Sequence, residues 1–131
     1  MDALGLMTMS ERTADNTETR RPCVLVFAGH DPSGGAGIQA DIEAISAQGA
    51  HALPIITALT VQDHNRVYSV HPVPPEIIVA QARALLAAMP IHAIKFGIVG
   101  SRQNAEAIAD FVREVLASRM ALPEKANTNL P

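Results

Sequence analysis

Aromatic residues are scarce in this chain: they make up 3% of it, and Phe27, Tyr68, Phe96 and Phe111 are the whole set. So few rings do not build stacking platforms for bases or sugars. Cysteine is rarer still. Cys23 stands alone, which excludes an internal disulfide and a multi-thiolate zinc site and points to a reducing compartment. Positive charge is thin as well, with 10 Lys and Arg against 13 Asp and Glu and a net charge of −3. Without a basic cluster the chain lacks the electrostatic footprint of a nucleic-acid binder, and no such partner is expected. No run approaches the roughly 18 consecutive apolar residues of a membrane span. The start, Met1 to Leu6, has neither the charged nor the long apolar part of a signal peptide. The expected address is the cytoplasm, with no membrane partner.

What the chain does have is 48% hydrophobic residues against 18% charged over 131 positions. That is enough apolar material for a packed core, in one domain or part of one. Residues 1–21 carry the polar run Ser10 to Arg20 with no apolar periodicity, and residues 121–131 read the same way. Both are expected to be disordered tails flanking a folding unit over residues 22–120.

Within that unit, Cys23 to Ala28 is a continuous valine-rich apolar run, the pattern of a strand covered on both faces. A helix from about Gly37 to Gln48 follows, with Ile38, Ile42 and Ile45 on one stripe and Gly49 as its stop. Ala52 to Leu59 reads as a second strand, with Pro54 near its start. Val67 to Val73 reads as a short edge strand. Pro74-Pro75 opens a helix through about Met89, His92 to Val99 reads as a further strand, and Ser101 caps a last helix near residues 103–119. The order β-α-β-β-α-β-α predicts an α/β fold: a three-layer open sheet, mostly parallel, with flanking helices. Three parallel strands leave one sheet edge unpaired, so self-association into a homo-oligomer is expected.

Ligands of open α/β sheets gather outside the carboxyl ends of the strands. Here those ends are Gly29 to Gly37, Thr60 to Asn65 and Gly97 to Ser101, all rich in glycine or polar residues. The first is the most informative. Gly29 and Gly34 have P-loop spacing, but Gly35-Ala36 stands where Lys-Ser/Thr is needed to neutralise phosphate. Gly35-Ala36-Gly37-Ile38-Gln39-Ala40 fits the dinucleotide fingerprint, yet it lies six residues past the strand, and no acidic residue closes the next one. Both motifs fail on context. Asp41 falls about 60° from Ile38 on the helical wheel, on the flank of the buried stripe. A carboxylate there needs a partner or a solvent-filled pocket. Gln62 has both donor and acceptor groups for a heterocycle edge. His51, His64, His71 and His92 show no ligand spacing, so no metal site is expected.

The segment Gly29-His30-Asp31-Pro32-Ser33-Gly34-Gly35-Ala36-Gly37-Ile38-Gln39-Ala40-Asp41, with Ile56 to Gln62 and Lys95-Phe96-Gly97-Ile98-Val99, closely resembles hydroxymethylpyrimidine/phosphomethylpyrimidine kinases. These are thiamine-biosynthesis enzymes of the ribokinase-like superfamily. The resemblance runs from about Val24 to Arg113 and implies the N-terminal, substrate-binding half of that fold. It implies a pyrimidine substrate, phosphorylated by ATP with Mg2+ first at its hydroxymethyl group and then at the resulting phosphate ester. It also implies that Asp41 and Gln62 contact the pyrimidine, that Gly29 admits the ligand to the backbone, and that Ile98 stands where many members have methionine.

Asp41 and Gln62 are accordingly expected to converge on the rim of one cup. His30 and Asp63 depart from the family pattern and are expected to add titratable groups near it. The family's nucleotide-binding residues, including a G-T-G-C segment, lie in its C-terminal half, and nothing here matches them. The resemblance therefore implies weak pyrimidine binding and negligible turnover by this chain alone. A related vitamin kinase, such as a pyridoxal kinase, and a non-catalytic pyrimidine-binding or regulatory module are the competing readings.

Overall fold

The computed structural model describes residues 20–121. The expected tails at 1–21 and 121–131 lie outside that range except for Arg20, Arg21 and Ala121.

Strand β1 (Cys23–His30) is the centre of the molecule. Its apolar run is unbroken because both of its faces are covered. Val26 and Ala28, with Val24 beside them, pack on Ile38, Ile42 and Ile45 of helix α1 (Gly37–Ala47). Cys23, Leu25 and Phe27 point the other way, onto Ile78 and Ala82 of α2 (Pro75–Ala88) and Ile108, Phe111 and Val115 of α3 (Arg102–Ala121). Phe27 is fully buried, stacked on Phe96 and edge-on to Phe111. Truncating such a ring to alanine costs about 3–5 kcal/mol.

The remaining strands are β2 (His51–Gln62), β3 (Val67–Pro72) and β4 (Ala93–Phe96). They form one sheet in the order β3-β2-β1-β4. β1 runs parallel to both β2 and β4, while β3 returns antiparallel along β2. The expected three-layer α/β architecture is present, with α1 on one face and α2 and α3 on the other. Among the described residues no helix is long and apolar enough to cross a membrane.

The helix ends follow their local chemistry. Gly49, at φ +81°, supplies the left-handed residue that stops α1. Pro75 opens α2 where a backbone N–H is not needed. The Ser101 hydroxyl accepts the Asn104 N–H at 3.1 Å and caps α3.

Three strand ends differ from the sequence pattern by two residues or more, β1 among them: it continues to His30 rather than stopping at Ala28. β2 continues to Gln62 rather than ending at Leu59, because β3 folds back and pairs with its last residues. β4 stops at Phe96 rather than Val99. The Gly97 N–H still reaches the Phe27 carbonyl at 2.7 Å, after which Gly100, at φ +86°, turns the chain into α3.

Candidate functional site

The carboxyl ends of β1, β2 and β4 open into a cleft of about 390 Å³. Gly29, His30, Gln62, Lys95 and Ile98 line it, with Val67 and Val70 of β3 as an aliphatic wall. A larger hollow, about 590 Å³, lies between α1, β2 and α2 beside Ile42, Pro54 and Leu85. Only His51 and Gln81 give that hollow polar side chains. Convergent polar groups on an otherwise apolar wall mark a ligand site better than volume does.

Gly29 and Ile98 form one wall together. A Cβ at Gly29 would stand 2.7 Å from Ile98 Cδ1, so the bare backbone is what lets the isoleucine lie across the end of β1. Ile98 in turn is fixed through its main chain. The buried Thr57 hydroxyl donates to the Ile98 carbonyl at 2.6 Å. Asn104, fully buried at the start of α3, presents Nδ2 to the carbonyls of Thr57, Val73 and Val99 at 3.0–3.3 Å. One side chain thereby gathers the loops that follow β3 and β4 onto β2. Buried carbonyls without such donors would be costly.

Gln62 is a strand residue, not a loop residue. It lies beside a β-bulge, where β3 carries Tyr68 as an extra residue between Val67 and Ser69. Its Nε2 donates to Thr60 Oγ1 at 2.7 Å, and the Thr60 hydroxyl donates its own proton to the His30 carbonyl at 2.7 Å. With that proton committed, Thr60 can only accept, so the amide must turn its nitrogen toward Thr60. The Gln62 carbonyl oxygen is then left as an acceptor on a cleft-lining side chain. His30 lines the cleft as expected, but Asp63 does not. Its carboxylate accepts N–H groups of Asn65 and Arg66 and the Tyr68 hydroxyl, holding the β2–β3 turn.

Asp41 also departs from expectation. It is not part of the cleft's lining. Its carboxylate faces the sheet from α1, as the helical wheel requires, and meets Lys95, which reaches across from β4 to donate to Oδ1 at 2.7 Å. Oδ2 is buried without a partner among the described residues. Gly29, Gln62 and Ile98 thus meet at one cleft, and Asp41 touches it through Lys95. With Lys95 44% exposed, the ion pair adds about 1 kcal/mol or less to stability, so its effect is mainly positional.

Asp31 shapes the first loop. The Ser33 hydroxyl lies 2.8 and 2.9 Å from its two oxygens, and the Ser33 N–H donates to Oδ1 at 2.8 Å. These bonds, the hydroxyl's foremost, hold the Asp31 carboxyl below its ordinary range. Asp63 is lowered for the same kind of reason, led by the Asn65 N–H and then the Tyr68 hydroxyl. Among the described residues no group of three His, Cys, Asp or Glu could hold a metal ion.

Sequence reasoning did not single out Lys95, Thr57, Thr60 or Asn104 as contributors to the site. Lys95 carried a signal: a lone lysine inside an apolar strand needs a counter-charge. The other three look like ordinary strand and helix residues until their long-range partners are known.

A family model described as phosphomethylpyrimidine kinase matches residues 31–122. A hydroxymethylpyrimidine/phosphomethylpyrimidine kinase of Rhizobium meliloti is 43% identical over 89 residues, covering 68% of this chain and 34% of that protein. A solved phosphomethylpyrimidine kinase of Clostridium difficile superposes with a TM-score of 0.68 at 36% identity, covering 72% of this chain and 41% of that one. A pyridoxal kinase of Bacillus subtilis, solved with ADP, superposes at 0.66 with 28% identity, covering 72% of this chain and 37% of that one. The chain spans about a third of the length of the curated relatives it matches.

Proposed function

The chain belongs to the phosphomethylpyrimidine kinase family, and from that premise we propose that its cleft is the pyrimidine-binding site of an ATP-dependent kinase of cytoplasmic thiamine biosynthesis. The substrates are hydroxymethylpyrimidine and its monophosphate. Gly29 and Ile98 form the wall on which the ring lies, Gln62 reads its polar edge, and Asp41 takes part through Lys95. The observation that carries this reading is the oriented Gln62 amide, whose carbonyl is left as an acceptor beside an apolar wall. An aminopyrimidine needs such an acceptor for its exocyclic amine.

ATP and Mg2+ belong to the family's reaction, but the residues lining the cleft do not fit them. A triphosphate and its metal call for clustered cations and carboxylates. Here Lys95, the one Lys or Arg lining the cleft, is already bonded to Asp41. Phosphoryl transfer therefore depends on groups other than those lining the cleft, and the chain alone is expected to bind the pyrimidine weakly and turn over negligibly.

Calorimetric titration with hydroxymethylpyrimidine, beside an assay with ATP and Mg2+, tests the proposal. Saturable binding without turnover is the expected result. Absence of binding would sink the pyrimidine assignment, and robust turnover would place the nucleotide site within this chain. A second reading, a pyridoxal-type substrate, is favoured by the likeness to the Bacillus subtilis pyridoxal kinase. Tighter binding of pyridoxal than of hydroxymethylpyrimidine would select it.

A further inference from the structure

We propose that Lys95 donates a hydrogen bond to a ring-nitrogen acceptor of the bound heterocycle, and that Asp41 is the positioning residue of that lysine rather than a contact of the ligand. The inference rests on the pyrimidine reading of the cleft and deepens it.

Register places Lys95 opposite Val26, on the face of the sheet that α1 covers. Its stem rises toward α1, and the ammonium meets Asp41 about one turn into that helix. A free lysine side chain loses up to about 2 kcal/mol of rotamer freedom on being fixed. The carboxylate anchors it beforehand, so that cost does not fall on ligand binding. The lysine lines the cleft and the aspartate does not. Asp41 is only 15% exposed, and its Oδ2 is closed off from solvent. The ammonium has three protons, of which Asp41 takes one, so two remain for an acceptor in the cleft. Gly97 lets the strand lie close against β1 here: a Cβ there would stand 2.9 Å from Ala28 Cβ and 3.6 Å from Nζ.

Gln62, which lines the cleft along with the polar side chains of His30, Asp31 and Thr60, is the lysine's complement. The proton chain from Gln62 through Thr60 to the His30 carbonyl leaves the glutamine oxygen as an acceptor. A donor from Lys95 and an acceptor from Gln62 match an amino group next to a ring nitrogen, the arrangement on one edge of a 4-aminopyrimidine. A benzene ring bearing the same substituents lacks the second half of that pattern.

The test is a double-mutant cycle on the whole chain, read by calorimetric titration. One probe is hydroxymethylpyrimidine. The other is its isostere with the ring nitrogen beside the amino-bearing carbon replaced by C–H. Wild type is expected to bind the isostere about tenfold more weakly, the scale of one hydrogen bond to a charged donor. Lys95→Met, which keeps the apolar stem, should bind the parent about tenfold more weakly and no longer distinguish the two probes. Lys95→Arg should retain part of the discrimination. Asp41→Asn should weaken binding about threefold in the wild-type background and not at all beside Lys95→Met, because a residue acting through the lysine has no effect once the lysine is gone.

If Asp41→Asn costs the same factor in both backgrounds, the aspartate touches the ligand itself and the inference is overturned. It is also overturned if Lys95→Met still prefers the parent. Should Lys95→Met alone fail to fold, with Asp41 left uncompensated, the double variant and the wild-type probe comparison still decide; equal affinity of wild type for both probes counts against the lysine. If wild type binds neither probe, the pyrimidine reading fails first, which is a separate result.

Discussion

The hydroxyl of Thr57 donates to the carbonyl of Ile98 at 2.6 Å across 41 residues of chain, and through that bond the wall of the cleft is held to the middle of β2. Thr57→Val keeps the shape and removes the donor, leaving the Thr57-facing carbonyl of Ile98 without that partner in a part-buried setting. Stability should fall by about 1–3 kcal/mol, with Thr57→Ser restoring most of it. Urea denaturation of the three proteins checks this; an unchanged midpoint for the valine variant would show that the bond contributes nothing.

Asn104 tests the same scaffold from the other side. Asn104→Asp is nearly isosteric but replaces with oxygen the amide that donates to the carbonyls of Thr57, Val73 and Val99, of which Thr57's also accepts the Val73 N–H at 2.9 Å. It should therefore be more damaging at neutral pH than Asn104→Ala, which merely removes that donor, and both should cost roughly 2 kcal/mol or more. Equal or reversed melting temperatures for the two variants would contradict the staple.

At Gly29, an alanine Cβ would collide with the side chain of Ile98, not with backbone. Because Ile98 is 55% exposed it can move, so Gly29→Ala should disturb the cleft more than the fold. Adding Ile98→Ala should recover ligand affinity at least in part. Gly37→Ala has no such remedy. Its φ is +62° and its Cβ would press on the Gly29 carbonyl, so it should destabilise the chain by more than about 1 kcal/mol whatever stands at position 98. Thermal unfolding and pyrimidine titration of the four variants separate the two cases.

Acid should weaken the fold in a defined direction. The Asp31 and Asp63 carboxyls sit lower in the folded chain than the unfolded value of about 3.9. Above that pH both states are ionised, and the full contribution is present. As pH falls through 3.9 and on through the lower folded values, the unfolded chain takes up protons first and stability drains away. Asp31→Asn and Asp63→Asn should each flatten the fall of the urea midpoint between pH 5 and pH 2.5, a range set by these carboxylate values. Retention of the full wild-type slope by both variants would rule these two groups out as its source.

Self-association is the last expectation. β4 is four residues long and pairs only with β1 among the described strands, beside a half-exposed Phe96. Such an edge invites pairing with another chain. The apparent mass by light scattering should rise with concentration, and a single-chain mass at every concentration would count against it.

Much of this was legible beforehand, for a reason visible in β1 and α3. Leu25, Phe27, Ile108, Phe111 and Val115 are spaced so that each lands on a buried face once its element forms, and burial depends little on which apolar group covers it. The far end of β2 was less legible. Its extension to Gln62 depends on hydrogen bonds from β3, and the residues of Thr60 to Gln62 look equally at home in a loop. Asp41 was legible as a sheet-facing carboxylate but not as the partner of Lys95, because that pairing depends on β4 lying beside β1.

The amino-acid order by itself determined the elements, the two layers of helices, the glycine-rich strand end where a ligand would sit, and the family. These follow from side-chain periodicity and local backbone freedom, which act over a few residues at a time. Only the tertiary structure decided that Lys95 stands between Asp41 and the cleft, that Thr60 turns the Gln62 amide, and that Asn104 binds three separate carbonyls. Those are directional contacts between groups distant in the chain, and they arise only when the sheet order brings the groups within about 3 Å of each other.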